Sequence, residues 1–422
     1  MQPPTTLLTP SFLSPVLAER LAKKYDTPCY VYSQAILLDR AQQALAFPAP
    51  FGLTVRYAMK ANPLQAILKL FHAAGVHIDA SSGAEVERAM RAGIPARHIM
   101  LTSQEIPNNL PSLMAQGLLY NACSLHQLEE FGRKFPGKEL SVRLNPGFGS
   151  GHRRSVSVGG PSSSFGIWHE HAGQARIIAK QYGLRITGVH SHIGCGADPE
   201  VWHQAANRTL DLLGQFSTAT RLNLGGGFKV AHYPGETATN LQAVGDSLSH
   251  MLQDFARRTN RRLHLEIEPG TFLVANAGAL LTRIIDITST GTSGYRFAKL
   301  NTGLNDFMRP ALHGSQHPII PLTTETAAVQ LDYVVVGHTC ESTDLLTPLP
   351  SDSETPLPRR LPQLQIDDLV AIEGTGAYGS AMRQIGYNSF ATPNEVMVTP
   401  EGDHQLINRR RTYADFMASE IS

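Results

Sequence analysis

From about residue 33 to 285 the chain repeats one pattern: a short apolar strand, a loop and an amphipathic helix. That alternation constrains the fold more than any other feature. Leu53 to Ala58 reads as a strand followed by a helix from Pro63 to Ala74, and Val76 to Asp79 as a strand followed by a helix from Ala84 to Ala92, closed by Gly93. Ile99 to Leu101, Leu119 to Ala122 (with the helix Leu125 to Lys134), Leu140 to Leu144, Ile186 to His190 (after a helix near 170–182), Arg221 to Leu224 and Leu263 to Ile267 continue the series. Strands linked by helices must run parallel, and about eight of them predict a (β/α)8 barrel, with a doubly wound sheet as the alternative. Lys60, Asp79, Asn145, His192, Gly225 and Glu268 fall just after these strands. A barrel places its active site at that end.

The character changes at about 286. Arg283 to Ser289, Tyr295 to Asn301, Gln330 to Gly337 and Leu369 to Ile372 read as strands with no regular helices between them, which predicts a second, β-rich domain. Thr347 to Pro362 holds five prolines and reads as a surface loop. Near the N-terminus, Phe12 to Lys24 reads as an amphipathic helix and Thr27 to Tyr32 as a short strand.

A chain of 422 residues is too long for one ordinary domain. A net charge of +1 gives no electrostatic reason to expect nucleic acid or an anionic membrane as partner. The run Arg409-Arg410-Arg411 is short and reads as a solvated helix start. No apolar stretch approaches the ~20 residues of a membrane helix, and no signal-peptide pattern is visible. Cys29, Cys123, Cys195 and Cys340 lie far apart without a CxxC pair, which argues against zinc or a disulfide framework and suits a reducing cytoplasm.

Several residues carry chemical meaning. Lys60 ends a strand in an apolar setting, where a buried amine becomes a nucleophile; a plain solvated lysine is the alternative. Gly225-Gly226-Gly227 lets backbone N–H groups approach an anion, or simply makes a tight turn. Glu266 and Glu268 alternate onto one side of their strand, where a carboxylate can hold a ring nitrogen protonated or join a salt bridge. His190 and His192 also share a side and could bind a metal given a third ligand. Cys340, beside Glu341 and near Asp344, is a poor resting thiolate and better suited to giving a proton; an inert cysteine is the alternative.

Together these segments resemble the fold-type III pyridoxal-phosphate (PLP) decarboxylases, most closely the bacterial diaminopimelate decarboxylases, over about residues 25 to 415. The resemblance rests on Tyr57-Ala58-Met59-Lys60-Ala61-Asn62, Asp79 with Ser82-Gly83 and Glu85, Arg143-Leu144-Asn145-Pro146-Gly147, His190-Ser191-His192-Ile193-Gly194, Leu224-Gly225-Gly226-Gly227, Glu268-Pro269-Gly270, Asn305-Asp306-Phe307-Met308-Arg309-Pro310, Cys340-Glu341-Ser342-Thr343-Asp344 and Gly376-Ala377-Tyr378. Their order and spacing together are specific.

The resemblance implies a PLP-binding (β/α)8 barrel over 33–285 and a β-rich domain from 1–32 and 286–422. It implies that Lys60 carries PLP as a Schiff base, with Asp79, His192, Gly227, Glu268, Pro269, Gly270, Thr271 and Tyr378 around the cofactor. Cys340 would be the proton donor, and Arg309, His313, Glu341 and Tyr378 would contact an amino-acid substrate. It further implies a cytoplasmic homodimer with shared active sites and no resident metal. The implied reaction is decarboxylation of meso-diaminopimelate to L-lysine. Decarboxylation of another amino acid or conjugate, or a non-catalytic regulatory role, are the alternatives. Four positions depart from the family pattern: Thr271 and His313 replace the usual Arg and Tyr, Asn301 the usual Asp, and Cys195 the usual Ser. Thr271 cannot make the bidentate carboxylate contact of an arginine.

Overall fold

A computed structural model of the protein describes residues 8–149, 159–192, 196–323 and 329–421. The chain divides into two compact units, one of Leu38–Val230 with Thr237–Leu273, the other of Met1–Leu37, Ala231–Glu236 and Val274–Ser422.

In the first unit eight parallel strands close on themselves: β1 (Leu53–Ala58), β2 (His77–Ala80), β3 (Ile99–Leu101), β4 (Leu119–Ala122), β5 (Glu139–Asn145), β6 (Arg185–His190), β7 (Arg221–Asn223) and β8 (His264–Ile267). The order is β4-β3-β2-β1-β8-β7-β6-β5, and β4 pairs β5 through Asn121↔Ser141 and Ala122↔Val142. That last pairing makes a barrel and rules out the doubly wound sheet. Serines start two of the expected helices. Ser82 Oγ accepts from Glu85 N at 3.1 Å, and Ser124 Oγ from Gln127 N at 3.1 Å, each satisfying a first-turn N–H. Gly93, at φ +88°, follows the first of these helices, a position that favours glycine.

Four further helices do not stand out by periodicity: Gln34–Leu45, Leu110–Ala115, Pro199–Leu213 and Leu241–Thr259. Two of them carry standard start signals. Asp198 caps Pro199–Leu213 with proline at its first position, and Asn240 caps Leu241–Thr259. No helix among the described residues is long and apolar enough to cross a membrane.

The barrel interior is polar where a simple core would be aliphatic. Arg56, Asn121, Arg143, His190, Asn223, Glu266 and Glu268 are all buried on or just beyond its strands. Burying an ion in a low-dielectric interior costs several kcal/mol unless it is paired and hydrogen-bonded. Arg56 Nη2 lies 3.1 Å from Glu266 Oε1, and Asn223 Nδ2 donates to Glu266 Oε2 at 3.4 Å.

The second unit is a mostly stranded domain built from both chain ends. Its main sheet runs Arg359–Pro362, Gln330–Val336, Arg296–Leu300, Gly278–Ser289, Cys29–Ser33, Asn394–Val398, His404–Asn408, with Leu369–Glu373 bridging Gly278–Ser289 and Ile319–Pro321. Cys29–Ser33 lies antiparallel to Gly278–Ser289 and parallel to Asn394–Val398, so the N-terminal segment occupies the middle of the sheet.

The proline-rich segment is not the plain surface loop expected. It forms the strands Pro348–Leu349, Asp352–Pro356 and Arg359–Pro362, with Thr347, Arg359 and Leu361 buried. Pro348, Pro356 and Pro362 stand at the first or last position of these strands, and Pro350 and Pro358 in the connections between them, positions that need no inward N–H. Two five-residue helices, Arg309–His313 and Tyr413–Met417, interrupt the expected run of strands. Arg409 of the basic run pairs with Asp415 in the first turn of the latter helix.

Candidate active site

Strand register gathers the barrel residues at one end. Ala58 stands beside Asp79, Ile267 beside Val55, Glu266 beside Asn223, and Asn223 beside His190, so β6, β7, β8, β1 and β2 bring their C-terminal ends together in sequence. Asp79 is the penultimate residue of β2, and Lys60, His192, Gly225–Gly227 and Glu268–Thr271 follow the ends of the other strands.

Lys60 is exposed rather than buried, contrary to the expectation from sequence. β1 ends at Ala58, and Lys60 rides on the single turn Met59–Ala61 between two buried neighbours. Its charge acts on the carboxyls of Asp79 and Glu85. Pro269 O accepts from Ala58 N at 3.3 Å, and a Cβ on Gly270 would come 3.3 Å from both Ala58 Cβ and Ala61 Cβ. Glycine therefore lets the Glu268-Pro269-Gly270 turn pack directly on the Lys60 turn.

Glu268 is the electrostatic centre. Asn223 Nδ2 donates to its Oε1 at 2.6 Å, and His190 Nε2 lies 3.2 Å from its Oε2. Asn223 Oδ1 accepts from Gly225 N at 2.8 Å, which fixes the amide so that its nitrogen faces Glu268. Burial by itself would push the Glu268 carboxyl up. The close His190 ring, first, and the Asn223 hydrogen bond overcome this and hold it well below the usual carboxylate range. Asp79 moves the other way. Burial, reinforced by the Glu268 charge, pushes it well above its ordinary value despite Lys60 and a bond with Thr102. The pair thus comprises one ionised carboxylate and one held towards its neutral form.

The glycine turn is equally specific. A Cβ on Gly225 would lie 2.7 Å from His192 Cγ, and one on Gly226 2.2 Å from Glu268 O. Gly225 and Gly227 have φ of +69° and +102°. His192 packs on this turn, and burial, then Arg143, hold its imidazole well below its usual pKa and hence neutral. Its Nδ1 and Asp79 Oδ1 are enclosed and have no hydrogen-bond partner among the described residues. Enclosed polar atoms without partners fit a flat, polar group at this end of the barrel, the glycine turn suiting an anionic part of it and the ionised carboxylate a protonated ring nitrogen. Thr271 is half-buried at the start of the short helix Thr271–Val274.

The remaining expected residues lie in the strand-rich unit. Arg309 Cζ sits 5.5 Å from the ring of Tyr378, whose φ is +56°. His313 ends the helix that Arg309 begins. Cys340 is exposed, its N–H donating to Asn388 Oδ1 at 2.9 Å. Glu341 accepts from Tyr387 OH at 3.1 Å, and that bond lowers its pKa. Asn301 is explained structurally. Its Oδ1 accepts from Thr282 Oγ1 and Arg283 N, and its Nδ2 donates to Thr27 Oγ1, so it ties strands together rather than presenting itself to a ligand. Cys195, with Ile193 and Gly194, lies outside the described residues. Among the described residues no group of three His, Cys, Asp or Glu side chains is placed to hold a metal; His190 instead faces Glu268 and Asn121.

The family model for "Pyridoxal-dependent decarboxylase, pyridoxal binding domain" matches residues 37–275. The chain belongs to the pyridoxal-dependent decarboxylases. It is 33% identical to the diaminopimelate decarboxylase of Streptomyces coelicolor over 95% of this chain and 90% of that one. A diaminopimelate decarboxylase crystal structure superposes with a TM-score of 0.89 at 31% identity, covering 97% of both chains. The M. jannaschii diaminopimelate decarboxylase in complex with L-lysine gives 0.84 at 26% identity, covering 96% of this chain and 94% of that one.

Sequence reading missed Asn121 and Asn223 and gave His190 only a metal role. The available signal was a polar residue inside an otherwise apolar buried strand, as in Leu119-Tyr120-Asn121-Ala122.

Proposed function

We propose that this protein decarboxylates meso-diaminopimelate to L-lysine and CO2 with PLP held at the barrel mouth. The observation that carries the reading is the placement of Lys60, Asp79, His192 and Glu268 at one barrel end, in a chain matched over almost its whole length by diaminopimelate decarboxylases.

Lys60 is the covalent anchor. Glu268, ionised, keeps a proton on the ring nitrogen. His192, neutral, offers an uncharged ring face, and Asp79 adjusts the charge around the anchor. Gly227, Pro269, Gly270, Thr271 and Tyr378 serve the phosphate. Bound PLP supplies the electron sink for the pair left on the α-carbon as CO2 departs. Cys340 gives that carbon its proton, a role its exposed thiol permits. Arg309, His313, Glu341 and Tyr378 recognise the substrate. The working form in this reading is a cytoplasmic homodimer with shared active sites.

The test is CO2 release from a panel of amino acids, with product analysis. L-lysine should form from meso-diaminopimelate, and Lys60→Ala should neither turn over nor take up a borohydride-trapped cofactor. Turnover of another amino acid without any diaminopimelate activity would replace the substrate assignment.

A further inference from the structure

The polar chain at the barrel mouth continues past Glu268. Asn121 Nδ2 approaches His190 Nδ1 at 2.7 Å and Thr102 Oγ1 at 3.3 Å, and Thr102 in turn bonds Asp79. His190 and Asn121 are each 1% exposed, so water does not substitute for these contacts. An amide nitrogen can only donate. With the Asn121 amide nitrogen turned to the ring, His190 Nδ1 accepts, and because an ionised Glu268 can only accept, the proton facing it sits on Nε2. The 3.2 Å approach there is not aligned as a full hydrogen bond, so its strength depends on how the ring is held.

We propose that His190, set in its Nε2–H tautomer by Asn121, is a positioning residue that keeps the Glu268 carboxylate ionised and oriented for a protonated cofactor ring nitrogen. This rests on the PLP reading above. His190 acts through Glu268 and does not itself touch the cofactor. The titratable groups acting on Glu268 or acted on by it are His190, His192, Asp79, Glu266 and Cys123. Of these, His190 makes the direct contact with the carboxylate, and its removal should be felt first as a change in how the site holds protons.

Two measurements on the full-length protein test this. Nitrogen NMR of labelled histidine, before cofactor is added, should show His190 protonated at Nε2 and not Nδ1; in Asn121→Val that preference should be lost. A protonated Nδ1 in the unaltered protein overturns the inference. Spectrophotometric titration with PLP should then show affinity falling about tenfold to a hundredfold in His190→Leu, the worth of one hydrogen bond to a charged group. The pH dependence of the bound-cofactor absorbance should shift as well. His190→Gln, which keeps an N–H donor, should restore most of both. Unchanged affinity and pH profile in His190→Leu also overturn it. If His190→Leu does not fold, Asn121→Val carries the same titration, with a smaller loss expected and no loss counting against the idea. Failure of the unaltered protein to take up PLP would instead sink the functional reading, and the NMR result would still stand.

Discussion

Each unit holds an arginine–glutamate pair with its carboxylate buried, and the two pairs differ in what lies beyond them. In the strand-rich unit Glu395 accepts from Arg383 Nη2 at 2.6 Å, Asn408 Nδ2 at 2.8 Å and Tyr32 OH at 2.7 Å. These partners include residues of two neighbouring strands, so the cluster closes on itself and fixes their register. In the barrel Glu266 meets Arg56, but Asn223 carries the network on to Glu268 and the mouth. The same chemistry serves as a lock in one place and as the root of a functional site in the other.

That contrast can be broken most forcefully by removing each acid. Glu266→Leu strands the buried Arg56 and Glu395→Leu the mostly buried Arg383; the first should cost about 3–5 kcal/mol and the second somewhat less, read from the denaturant midpoint. Only Glu266→Leu should also weaken PLP uptake by the surviving folded protein. Equal cofactor affinity in the two variants would mean that the barrel pair is a lock as well.

An effect confined to high pH belongs to the strand-rich unit alone. Burial pushes the Asp306 carboxyl up to about 7, against the bond from Thr302 that pulls it down. The unfolded chain releases that proton near pH 4, so between about 4 and 7 the folded state holds more protons. Stability from this group is full below 4 and is lost as pH rises through 7. Asp306→Asn removes the loss, so relative to the unaltered protein it should gain on the order of 4 kcal/mol at pH 8 and little at pH 4. Denaturation midpoints at those two pH values decide it, and PLP affinity should not move.

The barrel was legible because its strands are short apolar runs punctuated by capped helices, and Leu119 to Ala122 needs only its own four residues to be recognised. Glu268 and His192 were legible from position and family pattern. What the sequence hid is contact. Nothing in Asn223 announces that its amide spans Glu266 and Glu268, and nothing in Lys60 distinguishes a buried amine from an exposed one. Asn301 looks like a substrate-site departure because linear position cannot show that both ends of its amide are already used within the sheet. The proline-rich stretch misleads for the opposite reason: composition argues loop, while the partner strand Gln330–Val336 gives it an edge to pair with.

The finest contrast is between two glycines. Gly291 has φ +87° and open space, with nothing within 4 Å of the point a Cβ would occupy, so Gly291→Ala should cost only the left-handed backbone penalty, about 1–2 kcal/mol, and leave PLP uptake alone. Gly226 has no such backbone demand, yet its Cβ would meet Glu268 O at 2.2 Å, backbone against backbone. Neither side can swing away as a flexible side chain could. The turn must shift, and overpacking of this kind typically costs ~1–3 kcal/mol. Because the atom displaced belongs to Glu268, part of that strain should appear as lost cofactor affinity, about tenfold, rather than as lost stability. Parallel PLP titrations and denaturation curves for Gly226→Ala and Gly291→Ala separate the two. A Gly226→Ala protein that loses stability but binds PLP normally would show that the glycine turn supports the barrel and not the carboxylate.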